Sequence, residues 1–147
     1  MRVDFYQLSR DPAEHVLPVI ARNTLNAGER LLVVSGDEDQ LGRISAGLWG
    51  RVADGFLAHG LAGGDHDARQ PILLSGGTAP ANGASYLAIA DGVWREGEGD
   101  AAFARTFYIF GEDTLQPARA CWVMLGKREG VERRFWKQQG GKWVEGP

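Results

Sequence analysis

ERLLVVSGDEDQLGRISAGLWG, residues 29–50, decides the fold. Leu31 to Val34 is an unbroken apolar run, the pattern of a strand buried on both faces of a parallel sheet. Ser35 and Glu38 stand at capping-box spacing, and Asp37, Glu38 and Asp39 fall in the first turn of the helix that follows, where acids favour the positive end of its dipole. Leu41, Ile44, Leu48 and Trp49 then share one helical face. The segment reads as strand, tight turn and helix. An earlier strand and helix precede it, which implies a right-handed βαβ crossover.

The earlier strand is VDFYQL, residues 3–8, short, alternating and aromatic. The helix between has Asp11 as a cap, Pro12 at its first position and Gly28 as its stop. Its apolar face is Val16, Val19, Ile20 and Leu25, and Pro18 either kinks it or delays its regular part. Downstream, LWGRVADGFLAHGLAG, residues 48–63, reads as a loop by its glycines, yet it carries Trp49, Phe56 and Leu61. GGDHDARQ, from Gly63, reads as a mobile loop, ILLS (72–75) as a buried strand and GGTAPANG as another loop. YLAIA (86–90) and TFYIF (106–110) are further strands around the turn-forming DGVWREGEGD. The last helix takes Asp113 or Thr114 as its cap and sets Ala118, Cys121, Trp122 and Leu125 on one face. VERRFWKQQGGKWVE (131–145) reads as two strands about Gly140 and Gly141, with Gln138 facing Trp143 and Trp136 diagonal to it on the same side. This order predicts a three-layer α/β/α fold around a mostly parallel sheet. All 147 residues form one domain, with a hairpin-like extension at about 131–147.

With 44% hydrophobic and 24% charged residues, the chain has an ordinary globular composition. No apolar run is long enough to cross a membrane, and MRVDFYQLSRD lacks the zones of a signal peptide, so a cytoplasmic protein is expected. Cys121 is the sole cysteine, which leaves neither an internal disulfide nor a cysteine-based zinc site. The net charge of −3 argues against a dedicated or sequence-specific nucleic-acid binder. Lys and Arg nevertheless gather toward the C-terminal end, from Arg119 to Lys142.

A parallel sheet invites a nucleotide, but Ser35-Gly36-Asp37-Glu38-Asp39 puts three carboxylates where a phosphate would sit, and no GxxxxGK[ST] occurs. Gly97 opens GEGDAA, a formal GxGxxA that does not directly follow a buried strand. Asp65-His66-Asp67 are adjacent side chains that converge poorly on one metal ion. His15 and His59 have no nucleophile motif near them, and Cys121 sits on an apolar helical face as an inert thiol. Glu112 and Asp113 are explained by helix capping. No catalytic residue, cofactor or metal is therefore expected. On the last helix Arg119 lies one turn before Trp122 and Val123 and two before Lys127, a basic stripe beside an apolar one. That stripe is either an amphipathic helix with a solvated edge or a clamp for an acidic peptide with an aromatic end.

These residues resemble a family. The DFYQL strand, the GERLLVVSGDEDQLGRISAGLWG unit, FLAHGLAGG, the buried ILLS and the ARACW helix succeed one another as in the chi subunit of bacterial DNA polymerase III holoenzyme. The ending RFWKQQGGKWVEGP is similar to that of alpha-proteobacterial members. The resemblance implies a noncatalytic clamp-loader accessory protein with a nucleotide-binding-like fold lacking a phosphate loop. It also implies that such a protein binds the acidic C-terminal tail of single-stranded DNA-binding protein and pairs with a psi subunit or its clamp-loader equivalent. Arg119 and Trp122 match the family's basic and aromatic positions for the tail, and Val123, Lys127 and Arg128 accompany them. Some members carry Lys where Val123 stands. Trp49 and Phe56 match positions that contact psi, with Leu61 on the same surface. Two other readings stay open: a small nucleotide- or metabolite-binding α/β enzyme, and a homo-oligomer that hides Trp49 and Phe56 against its own copy.

Overall fold

In a computed structural model, which describes residues 1–9, 11–50, 57–97, 103–139 and 142–146, the chain opens with β1 (Arg2–Gln7), α1 (Ala13–Asn26), β2 (Leu31–Val34) and α2 (Glu38–Gly50). It continues with β3 (His59–Leu61), β4 (Ile72–Ser75), β5 (Tyr86–Ile89) and β6 (Arg105–Phe110), and ends with α3 (Leu115–Gly126), β7 (Glu132–Gln139) and β8 (Lys142–Glu145). The strands form one sheet in the order β3-β4-β2-β5-β6-β1-β7-β8, parallel except for the final β7–β8 pair. This is the expected three-layer α/β/α arrangement.

The two faces of the sheet follow from strand periodicity. In β2, Leu31 and Val33 join the core under α1 and α2, whereas Leu32 and Val34 join the core under α3. Both faces of that strand are covered, which is why its sequence shows no polar alternation. Pro18 lies inside α1, where the missing N–H leaves the Glu14 carbonyl without its helical donor. Gly47 of α2 packs against this point, since a Cβ there would stand 3.1 Å from the Glu14 oxygen.

Several local expectations are corrected. Asp11 does not cap α1; Pro12 occupies the cap position, and the Asp11 carboxylate accepts a 2.8 Å hydrogen bond from Gln138. At α2 the cap is Asp37 rather than Ser35, because the Asp37 carboxylate accepts the N–H groups of Asp39 and Gln40 at 3.0 and 3.3 Å. Ser35 instead accepts the Asp37 N–H in the turn before the helix. The glycine-rich segment after α2 includes β3, a short edge strand where the glycines predict a loop. GGDHDARQ contains a 3₁₀ turn at Asp67–Arg69, held by Asp67 accepting the N–H groups of Gly63 and Gly64. Another 3₁₀ turn, Glu112–Thr114, leads into α3, where Thr114 holds the Gly111 N–H at 3.0 Å.

The C-terminal hairpin has the expected register, Gln138 opposite Trp143, but β7 also pairs along its length with β1 and so extends the main sheet. Trp136 stacks on Tyr6 with ring centroids 6.3 Å apart, and Trp143 meets Tyr6 edge-on at 5.0 Å. Beneath them the fully buried Asp4 carboxylate accepts hydrogen bonds from Arg2, Arg105 and the Trp136 indole, the closest being Arg105 Nε at 2.7 Å. Removing one charge from a buried cluster of this kind leaves the others uncompensated. Asp4→Asn keeps the shape and should lower the unfolding free energy in urea by about 3 kcal/mol; a loss well below about 1 kcal/mol would show that the cluster does not hold β1, β6 and β7 together.

Candidate functional site

On α3, Leu115, Ala118, Arg119, Trp122 and Val123 recur at three- and four-residue spacing and so share one face. That face looks across a cleft of about 490 Å3 toward Phe135 and Lys137, two residues apart on β7. Gln7 and Phe110, at the C-terminal ends of β1 and β6, line it as well. The walls are mainly apolar.

Trp122 is fixed from several sides. Its ring meets Phe5 and Phe135 edge-on, at 5.2 and 5.9 Å. The Arg133 guanidinium lies 4.1 Å from its ring centroid while donating a 2.8 Å hydrogen bond to the Trp122 carbonyl. Gly126 makes room for this contact, since a Cβ there would fall 2.7 Å from Arg133 Nη1.

Of the residues expected to hold a peptide, Arg119, Trp122 and Val123 come together in the cleft. Val123 is 55% exposed. Lys127 and Arg128 do not line it. Lys127 stands at the C-cap of α3, and Arg128 is paired with Glu96 at 2.7 Å. That pairing also holds the Glu96 carboxyl below its usual range. Gln7, Phe110, Leu115, Phe135 and Lys137 were missed by sequence reasoning. For Phe135 and Lys137 the available signal was the alternation within RRFWKQ, which needed only the knowledge of which side faces α3.

The other expected surface lies under the opposite face of the sheet, at its β3 end. Leu48 is buried, whereas Trp49 and Leu61 are 57% and 56% exposed. Phe56 lies outside the described residues. The Trp49 ring sits 5.0 Å from that of His59. His59 Nδ1 donates to the Leu57 carbonyl at 2.8 Å, so its Nε2 accepts from Ser45, 2.9 Å away. The bond ties β3 to α2. This Ser–His contact joins residues too far apart in sequence to form a motif, and its imidazole leans on a backbone carbonyl rather than a carboxylate.

At the end of β2, where related architectures hold phosphate, the chain supplies its own anions. The Gly36 N–H donates to Asp91 at 2.9 Å, and Arg95 adds two bonds to the same carboxylate at 2.8 and 2.7 Å. Burial pushes the Asp91 carboxyl up, but Arg95 and the backbone donors hold it below its usual value. The neighbouring crevice is lined by four acids, Asp37, Asp91, Glu112 and Asp113, against one cation, Arg43. Burial likewise pushes the Cys121 thiol up to about 12, consistent with an inert side chain. Among the described residues no cluster of His, Cys, Asp or Glu is placed to hold a metal, and no helix is long and apolar enough to cross a membrane.

The model of the family described as DNA polymerase III chi subunit, HolC, matches residues 1–133. The chain belongs to the DNA polymerase III chi subunit family. It is also 35% identical over 78 residues to the DNA polymerase III subunit chi of Escherichia coli (strain K12), covering 48% of this chain and 53% of that protein. The match thus spans about half of that relative's length. The chi-family match ends inside β7, so Phe135 and Lys137 of the cleft lie beyond it.

Because carboxylates already occupy the Gly36 site, millimolar ATP or ADP should leave the melting temperature of the protein unchanged. A nucleotide present at 100 times its Kd would add about 2.7 kcal/mol, so a clear upward shift would revive the enzyme reading.

Proposed function

We propose that this chi-family protein is a noncatalytic replication accessory subunit acting in the cytoplasm. It holds the acidic, aromatic-ended C-terminal tail of single-stranded DNA-binding protein in the α3 cleft. A separate surface at Trp49 and Leu61 joins it to psi or to an equivalent part of the clamp loader.

The observation that carries the first part is Arg119 at the rim of an apolar cleft. Among the described residues its side chain has no hydrogen-bond or ion-pair partner, and Trp122 and Val123 stand beside it. A guanidinium pairs with carboxylate in a fixed fork, while the apolar walls accept an aromatic ring. The same cleft suits no duplex, since its lining is apolar and the chain carries a net charge of −3.

A charge-assisted hydrogen bond contributes about 1.5 to 3 kcal/mol. Arg119→Ala should therefore weaken binding of a fluorescent acidic peptide ending in Phe by about ten-fold or more, and added salt should weaken the wild-type complex too. Wild type that gives no saturable signal would remove the tail reading. The second surface is tested by pull-down from native extract. Trp49→Ala should lose clamp-loader proteins and keep single-stranded DNA-binding protein, while Arg119→Ala does the reverse. If Trp49→Ala instead converts a dimer to a monomer by light scattering and keeps all partners, Trp49 serves self-association.

A further inference from the structure

The cleft has two walls of different origin. Leu115, Arg119 and Trp122 come from α3, within the family-matched residues, whereas Phe135 and Lys137 come from the part of β7 beyond residue 133. Phe135 closes the floor, meeting Trp122 edge-on at 5.9 Å and Phe110 at 6.0 Å. Lys137 is exposed at the rim, and among the described residues its side chain has no ion-pair or hydrogen-bond partner.

That freedom contrasts with several guanidiniums elsewhere. Arg2 and Arg105 are neutralised by Asp4, Arg95 by Asp91, Arg128 by Glu96, and Arg134 by Glu132 and Glu145. The helix itself brings little further charge to the cleft, because Val123 follows Trp122 and Arg128 is held by Glu96. Two unpaired cations, Arg119 and Lys137, therefore face an apolar floor from opposite walls.

We propose that Lys137 is a specificity-determining residue of this cleft, taking a second carboxylate of the bound tail so that the chain end is gripped between α3 and β7. The inference rests on the tail-binding reading above. Two cations flanking an apolar floor match a ligand whose terminal aromatic ring is flanked by its free α-carboxylate and an acidic side chain. A peptide with only one of these carboxylates leaves one cation without a counter-charge, which is how complementary charge selects among ligands.

The test uses the full chain and a fluorescent peptide of acidic residues ending in Phe with a free carboxylate, read by polarisation. Lys137→Gln should weaken binding by about ten-fold at low salt, the loss should shrink as salt rises, and Lys137→Arg should restore most of it. The melting temperature should not move, since Lys137 is exposed and unpaired. Replacing the peptide's acidic side chains by amides, or its terminal carboxylate by an amide, separates the two contacts. One of these changes should weaken wild type strongly and Lys137→Gln hardly further, the signature of a coupled pair. If Lys137→Gln binds like wild type while Arg119→Ala does not, this inference fails and the tail reading stands. If wild type does not bind the peptide at all, both fall.

Discussion

The buried carboxylate of Asp4 is the constraint on which the rest of the sheet depends. It is fully enclosed, so its charge must be met inside the protein, and donors from three neighbouring strands meet it: Arg2 on β1, Arg105 on β6 and Trp136 on β7. Bringing the Trp136 indole to Asp4 fixes which side of β7 faces α1. With a period of two, Phe135 and Lys137 must then face α3. The cleft is thus a consequence of how a single carboxylate is satisfied on the other face of the sheet, and a one-residue slip of β7 would present Arg134 and Trp136 to α3 instead.

Charge is distributed to the same end. Near α2, where parallel α/β folds expose backbone N–H groups to a ligand's phosphate, Asp91 and Asp37 take those donors, and Arg95 balances Asp91. An anion arriving there would have to displace internal carboxylates and enter a crevice where four acids outnumber Arg43. At the other cleft the balance is opposite, with cations left without partners beside apolar walls. The fold therefore fills the β2–α2 turn with its own carboxylates and leaves unpaired cations between α3 and β7.

What the sequence disclosed, and what it hid, follows from the range of the interactions involved. β2 was legible because Leu31 to Val34 is buried on both faces, and α3 because Ala118, Cys121 and Leu125 repeat at helical spacing. Arg119, Trp122 and Val123 share that local period, so their proximity could be read without knowing the rest of the fold. β3 could not be read: it is three residues long and contains Gly60, which lies so close to Gln70 that a Cβ would meet that side chain at 3.0 Å. The capping-box spacing points to Ser35, two residues before the observed cap, because Ser35 and Asp37 are both competent and only the turn geometry selects Asp37. Phe135 and Lys137 were hidden for a stronger reason. Their facing depends on pairing between β7 and β1, which lie at opposite ends of the chain.

The sheet also separates the two candidate surfaces. β3 is first in the strand order and β7 seventh, and at roughly 4.8 Å per strand this places them about 29 Å apart before twist is counted. They also face opposite layers, Trp49 beside α2 and the cleft beside α3. Sites so distant share no side chain, so occupancy of one need not alter the affinity of the other. Under the proposed function, independent sites would let a partner held at one surface raise the effective concentration of whatever binds the other without any conformational change. The parallel sheet spans the distance between them, and its register, set where Asp4 meets its donors, keeps the two surfaces apart.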